Sequence, residues 1–208
     1  MTTESTTAET GTSLADLTGT SLADLTGTSL ADLTGTYTID PAHSRIGFMA
    51  KHAMVTKVRG AFNDFTGNIV LDGANPANSS ATVTIKAASI DTRNAQRDGH
   101  LASNDFLAME EHPEITFVST AARQDGETDF ELTGDLTIKG VTNSITIPFS
   151  YEGSATDPFG NFRAGFEGSV VINRKDYGVT WNAALEKGGV LVSDKVTLEF
   201  EISAIKNA

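Results

Sequence analysis

The sequence predicts an all-β protein: an eight-stranded antiparallel barrel with one short helical insertion, at about 92–112, covering an end. Three observations carry this. From Tyr37 to Ile90 and from Glu114 to Ile205, apolar and polar residues alternate with period two, the pattern of strands that each bury one face. The alternating segments are joined mostly by short stretches rich in Gly, Asn and Asp. Only Asp91–Phe117 breaks the alternation. Eight such strands fit a barrel or a sandwich. Closure is preferred because it removes unpaired edges, and an eight-stranded barrel can hold one small ligand.

The first 36 residues stand apart. They hold no aromatic residue, Lys or Arg, whereas all eleven Phe, the single Trp and all three Tyr lie at or after position 37. Residues 11–18, 19–26 and 27–34 repeat the octapeptide GTSLADLT. Each copy offers a Ser-x-x-Asp capping pattern, such as Ser13 to Asp16, and then a glycine that interrupts the helix. Six leucines in this stretch bury too little to offset the ordering entropy. Residues 1–36 are therefore expected to be a disordered or weakly helical acidic tail, and 37–208 the folded domain. The sharper alternative is a tail whose Leu14/Leu17-type pairs fold on an unknown partner. The chain shows neither a secretory signal nor a stretch approaching the roughly eighteen apolar residues of a membrane span, so a cytoplasmic location is expected.

Strand one, about Tyr37 to Met54, places Ile46, Phe48, Ala50 and His52 on one face. The second, about Val58 to Leu71, switches parity between Phe62 and Phe65, which a bulge at Asn63–Asp64 explains. The third turns Val83, Ile85 and Ala87 inward. In the insertion, Asp91 and Thr92 are expected to cap one helical run and Ser103 a second, with Pro113 as the stop. If the barrel is hollow, this segment is its lid. Ile115, Phe117 and Ser119 open the fourth strand, Phe130 to Ile138 form the fifth, and Ile145 to Tyr151 follow the Lys139–Gly140 turn. Phe162 to Ile172 and Val196 to Ile202 complete the set. Small inward residues, among them Ala50, Ser119, Gly134, Ala164 and Gly168, fit either a hollow interior or a tapering one in which they make room for large neighbours.

Composition excludes several function classes. The net charge is −12, of which Glu4, Glu9, Asp16, Asp24 and Asp32 supply −5, and such a surface repels nucleic-acid backbones. The absence of cysteine removes disulfides, thiolate nucleophiles and Cys-ligated metals. The histidines His43, His52, His100 and His112 lack helical metal-ligand spacing, so no metal site is expected. No Gly-x-Ser-x-Gly occurs, and Asp98 and His100, two apart on a helix, face differently. The chain reads as a container with no catalytic residues, not as an enzyme. A cavity walled by Phe and Ile with a polar mouth suits a long apolar ligand with a polar head, each buried methylene contributing about 0.8 kcal/mol. His52, Arg97 and His100 are the candidates to meet that head.

Five motifs, in order, resemble the YceI-like family: Tyr37-x-Ile-Asp-x-x-His43-Ser44-x-Ile-x-Phe48-x-x-x-His52, Arg97-Asp-x-His100-Leu-x-Ser-x-Asp105-Phe106, His112-Pro-x-Ile-x-Phe117, Gly134-Asp-Leu-Thr-Ile-x-Gly140-Val-Thr and Ile172-Asn-Arg-x-Asp176-Tyr-Gly. The resemblance spans about 37–205. It implies a lipocalin-like barrel that holds a polyisoprenoid or another long-chain amphiphile non-covalently, with isoprenoid quinones and prenyl phosphates as ligand types and a homodimer as a common assembly. Many relatives are periplasmic, but here an acidic repeat tail replaces the signal peptide. On this reading the ligand-binding residues are Phe48, His52, Phe62, Phe65, Ile85, Arg97, His100, Phe106, Phe117, Phe166 and Trp181. The alternatives are an enzyme acting on an amphiphilic lipid through His100 with Asp98 or His52, and a module that binds a partner through the tail.

Overall fold

A computed structural model describes residues 29–186 and 188–208, and in it the antiparallel barrel is closed. The described residues form β1 (Gly35–Ile39), β2 (Arg45–His52), β3 (Thr56–Phe62), β4 (Phe65–Leu71), β5 (Ser80–Lys86), β6 (Ile90–Asp91), β7 (Glu114–Gln124), β8 (Asp129–Ile138), β9 (Val141–Thr156), β10 (Phe162–Asn173) and β11 (Val192–Lys206). Two of the eight expected strands are each broken in two. β1 and β2 follow one another along the same partner, Tyr37–Ile39 pairing with Ala204–Lys206 and Arg45–His52 with Val192–Glu201. Asp40 holds the break between them, accepting from the Ala42 N–H at 3.0 Å and lying 2.7 Å from His43 Nδ1. β3 and β4 are likewise one strand interrupted at Asn63–Asp64, where the inward parity changes. The ring then runs through β5, β7, β8, β9 and β10 to β11, which closes on β1 and β2. The two-residue β6 pairs antiparallel with the end of β3, Ala61 with Asp91 and Phe62 with Ile90.

The insertion is less helical than its sequence predicts. Helix α1 spans only Ala95–Ala102, and its N-cap is Asn94, whose side chain accepts from Arg97 N at 2.9 Å, in place of Asp91 or Thr92. Ser103 ends this helix and does not start a second one. Residues 103–112 instead fold back as turns. Ala108 N and Met109 N donate to Ser103 O and Ala102 O, satisfying carbonyls at the helix end. The left-handed backbone of Ala108 (φ 47°) is incompatible with helix propagation. This path buries Phe106, Ala108 and Met109. No described helix is long and apolar enough to cross a membrane.

The folded unit also begins earlier than the composition predicts. Leu30–Leu33 makes one 3-10 turn, closed by a reciprocal capping box between Ser29 and Asp32. Leu33 is 4 % exposed, Tyr37 Oη donates to its carbonyl at 2.7 Å, and the Leu30 carbonyl lies so close to Gly73 that a Cβ there would overlap it. The entropy argument fails for this third octad because the adjoining β1 already anchors its C-terminal end. The first two copies, and the disorder or weak helicity expected of them, lie outside the described residues.

Strand register sorts the residues into two ends. His52, Lys86, Glu114, Ile138 and Val141 lie at one, while Leu71, Ser80, Gln124, Phe162 and Lys206 lie at the other. The insertion covers the first end, where Lys139 Nζ donates to Asn104 O at 2.8 Å. The Leu30–Leu33 turn covers the second, where Lys206 Nζ donates to Asp32 O at 3.1 Å.

Candidate ligand-binding cavity

Inward glycines lie beneath aromatic rings on neighbouring strands. A Cβ on Gly134 would come within 2.5 Å of the Phe117 ring, one on Gly168 within 2.6 Å of Phe149, and one on Gly60 within 2.5 Å of Phe48. These small residues therefore make room for large neighbours. The interior is nevertheless not filled: a cavity of about 300 Å³ remains, within the range of small-molecule sites. Its wall is almost wholly hydrocarbon. Leu101, Phe106 and Leu107 bound it at the insertion end, and Leu30, Leu33 and Leu71 at the other.

Phe48, Phe62, Ile85, Phe106, Phe117 and Phe166 line this cavity, as the parity of their strands and the insertion pattern predict. Phe65, 3 % exposed, belongs instead to the packing around it. The polar candidates are elsewhere. His52 keeps the inward parity of β2, but as its last residue it stands at the rim and is exposed. Arg97 turns back on Thr92, Nε donating to Oγ1 and Nη2 to the carbonyl, both at 2.7 Å. His100 Nε2 lies 2.9 Å from Asp105 Oδ2, and its ring stands edge-on to Phe106 and Trp181, with centroids 5.0 and 4.8 Å away. Trp181 thus packs behind Phe106 and not on the cavity wall. Asp98 accepts from the Thr92 N–H and hydroxyl, so the suggested Asp98–His100 acid–base pair is not formed. No three His, Asp or Glu among the described residues converge as a metal site.

Two cavity residues escaped the strand-parity reading. Beyond the end of β10 the chain makes one 3-10 turn, Arg174–Tyr177, opened by Asn173 accepting from Lys175 N at 3.1 Å and closed by Gly178 in the left-handed region (φ 72°). Residues three apart in such a turn share a face, and both Arg174 (5 % exposed) and Tyr177 (2 %) line the cavity. Arg174 Nε donates to Ser193 O at 3.0 Å, and Nη1 donates to Val179 O at 2.7 Å and Trp181 O at 2.9 Å. Its Nη2 is 3.5 Å from Asp194 Oδ1. The Tyr177 hydroxyl has no hydrogen-bond partner among the described residues. Burial lowers the pKa of Arg174, and burial followed by the nearby Asp176 charge raises that of Tyr177. The signal was the motif Ile172-Asn-Arg-x-Asp176-Tyr-Gly, but it lies past the alternating strand, where parity no longer assigns a face.

A family model for the YceI-like domain matches residues 37–204. A UPF0312 protein of Ectopseudomonas mendocina is 40 % identical over 146 residues, which are 69 % of this chain and 76 % of that protein. Another, from Pectobacterium carotovorum, is 42 % identical over 138 residues, 66 % and 71 % of the two chains. Among solved structures, Burkholderia cenocepacia BcnA matches with a TM-score of 0.70 at 28 % identity, covering 79 % of this chain and 98 % of its own. A Campylobacter jejuni YCEI protein matches at 0.66 and 31 %, covering 76 % and 90 %. A polyisoprenoid binding domain from Saccharophagus degradans shares the fold, with a TM-score of 0.62 at 16 % identity over 82 % of this chain and 98 % of that one. With the closed barrel, the insertion and the family match over 37–204 together, this chain belongs to the YceI-like family.

Proposed function

We propose that this protein binds a long-chain isoprenoid lipid, such as a quinone or a prenyl phosphate, in the barrel interior and carries or sequesters it there without covalent attachment. The observation that carries this reading is the cavity of about 300 Å³, walled by hydrocarbon and bounded at both ends. Such a wall offers few polar partners to water, but it gives a prenyl chain the full transfer gain of about 0.8 kcal/mol per methylene. The fold shared with a domain described as polyisoprenoid-binding supports an isoprenoid as cargo. An enzymatic role through His100 has less support, since that ring is engaged by Asp105 and Asp98 by Thr92. Recruitment of a partner through the third octad is also less favoured, because Leu33 is buried against the chain's own barrel.

Native mass spectrometry of protein purified from its own host, followed by organic extraction, tests the reading. A stoichiometric isoprenoid is the expected result, and a bare polypeptide that takes up no added quinone would reject it. Phe117→Asp and Phe166→Asp, checked for folding by circular dichroism, should abolish retention. Glu114→Gln, in an exposed pair with Lys86, should be neutral. Equal retention by all three variants would count against an interior site.

A further inference from the structure

We infer that the β2–β3 hairpin is a membrane-docking tip that seats the insertion end of the barrel on an anionic lipid surface. The inference stands on the charge and exposure of this hairpin and needs no assumption about what the cavity holds. Between Asp40 and Asp64 the chain carries Arg45, Lys51, Lys57 and Arg59 and no acidic residue, although acidic residues outnumber basic ones 27 to 15 overall. Arg45 and Arg59 lie 3.2 and 4.0 Å from Glu199 on β11. The two lysines nearer the tip have no such partner. Strand register sets Lys51 directly opposite Lys57, both are exposed, and neither joins an ion pair among the described residues. Asp194, on the adjoining β11, is held by Lys175 at 2.8 Å. Like charges facing each other across a ladder repel, so the lysine pair costs stability unless an anion lies against it.

Beyond the lysines the turn itself is apolar. Val55 N donates to His52 O at 3.0 Å, and between them Ala53 and Met54 both have left-handed backbone (φ 50° and 60°), the only consecutive non-glycine pair to do so among the described residues. Tight hairpins of this kind favour Asn-Gly, because a Cβ is strained there. Here the chain carries Ala-Met-Val, with Met54 51 % and Val55 82 % exposed. The Ala53 N–H, donating to Leu191 O at 2.7 Å, ties the turn to the barrel. Lys57 lies on a part of β3 that pairs with β2 only, and a guard against strand pairing would explain a lysine at such an edge. It would not explain apolar side chains at the tip. Apolar residues flanked by cations suit a lipid interface, with the apolar groups among acyl chains and the ammonium groups at headgroup phosphates. The net charge of −12 does not oppose this at about 0.15 M salt, because charges more than about 8 Å from the bilayer are then largely screened. Phe48 and Ala50, on the inner face of β2, belong to the cavity wall. A bilayer met here stands beside the insertion end of the cavity, the position that a lipid carrier needs for exchange.

The full chain should be floated, at about 0.15 M salt, with vesicles of phosphatidylcholine alone and of equal parts phosphatidylcholine and phosphatidylglycerol. Binding to the anionic vesicles only, lost at about 1 M salt, is the expected result. Lys51→Gln with Lys57→Gln should weaken it about thirtyfold, and Met54→Ser with Val55→Ser about tenfold. Phe159→Ser is the control, because Phe159 is more exposed than either tip residue but lies at the opposite end of the barrel, in the turn between β9 and β10. It should change nothing, and circular dichroism should show all variants folded. Absence of vesicle binding, equal binding to both vesicle types, or an equal loss with Phe159→Ser would overturn the docking tip. Self-association that the tip variants abolish, seen by sedimentation equilibrium in place of vesicle binding, would make the tip a contact between copies and overturn it as well. Vesicle binding by a protein that takes up no added quinone would leave the docking tip standing and reject the cargo reading above. Quinone uptake without vesicle binding would do the reverse.

Discussion

Tyr37 shows how one side chain couples the tail to the barrel. It is fully buried at the end opposite the insertion, and its hydroxyl donates to the Leu33 carbonyl at 2.7 Å. Burial, and secondarily the neighbouring Tyr151, push that hydroxyl up to about 12. The folded value lies above the roughly 10 of an unfolded tyrosine, so its contribution is complete below about pH 10 and is lost as the pH rises towards 12. Urea-unfolding midpoints should therefore fall across this window. Tyr37→Phe should lower stability by about 1 kcal/mol at pH 7 and flatten the alkaline fall. Arg163 works with the opposite sign, bonding Asp40 at 2.6 Å and Asp157 at 2.8 Å. Asp40 is held below the usual carboxylate range chiefly by Arg163, and Asp157 by Asn161 and then Arg163. This support is present above about pH 4 and is lost as acid protonates the folded carboxylates.

At the scale of elements, the Leu30–Leu33 turn is the part specific to this chain's repeat. A single 3-10 turn is too short to hold itself together. It persists through the Ser29–Asp32 box, the Tyr37 hydroxyl and burial of Leu33 in a cluster with Tyr37, Tyr151, Ala164 and Ala204. Leu33→Ala removes most of that burial and should destabilise the protein by about 2 kcal/mol, at the low end for buried leucines because the site opens to the surface. Chemical denaturation measures this. An unchanged midpoint would mean that the turn rests on the barrel without stabilising it. Since Leu30 and Leu33 also bound the cavity, the same variant should loosen its end wall and speed ligand release.

Over the whole molecule, charge is distributed against stability and in favour of solubility. Across the outer face, Asp129, Ser150, Glu167 and Glu201 occupy successive paired positions, so Glu167 and Glu201 face each other directly. Arg45, 3.8 Å from Glu201, ends the row. Like charges on adjacent strands repel, and a net charge of −12 adds a general repulsion. Salt shortens the range of both, from about 30 Å at 0.01 M to about 8 Å at 0.15 M. The thermal midpoint should thus rise between these two concentrations. A fall would show that ion pairs such as Arg163 with Asp40 outweigh the repulsion.

Much of this architecture is legible in the residues themselves, because a strand's period of two converts sequence parity directly into a face. The alternation yields the eight strands, the parity change at Asn63–Asp64 marks the break in the second, and the wall positions of Phe48, Phe117 and Phe166 follow from the same rule. Other features depend on partners distant in the chain. Residues 103–112 gain more by packing Phe106 and Met109 than by continuing a helix. The third octad orders because β1 delivers it to a preformed surface, a circumstance that its own eight residues do not encode. His52, Arg97 and His100 are as polar as parity and position suggest, yet strand length and local bonds with Thr92 and Asp105 keep them from the cavity. Arg174 and Tyr177 border it from a turn that no periodicity describes. The sequence alone determined the strands and the faces they bury, because these follow from backbone geometry within each segment. Only the tertiary structure decided which small residue lies beneath which ring, what space remains between them and which polar groups are kept out of it, because those depend on register between strands that the chain brings together from far apart.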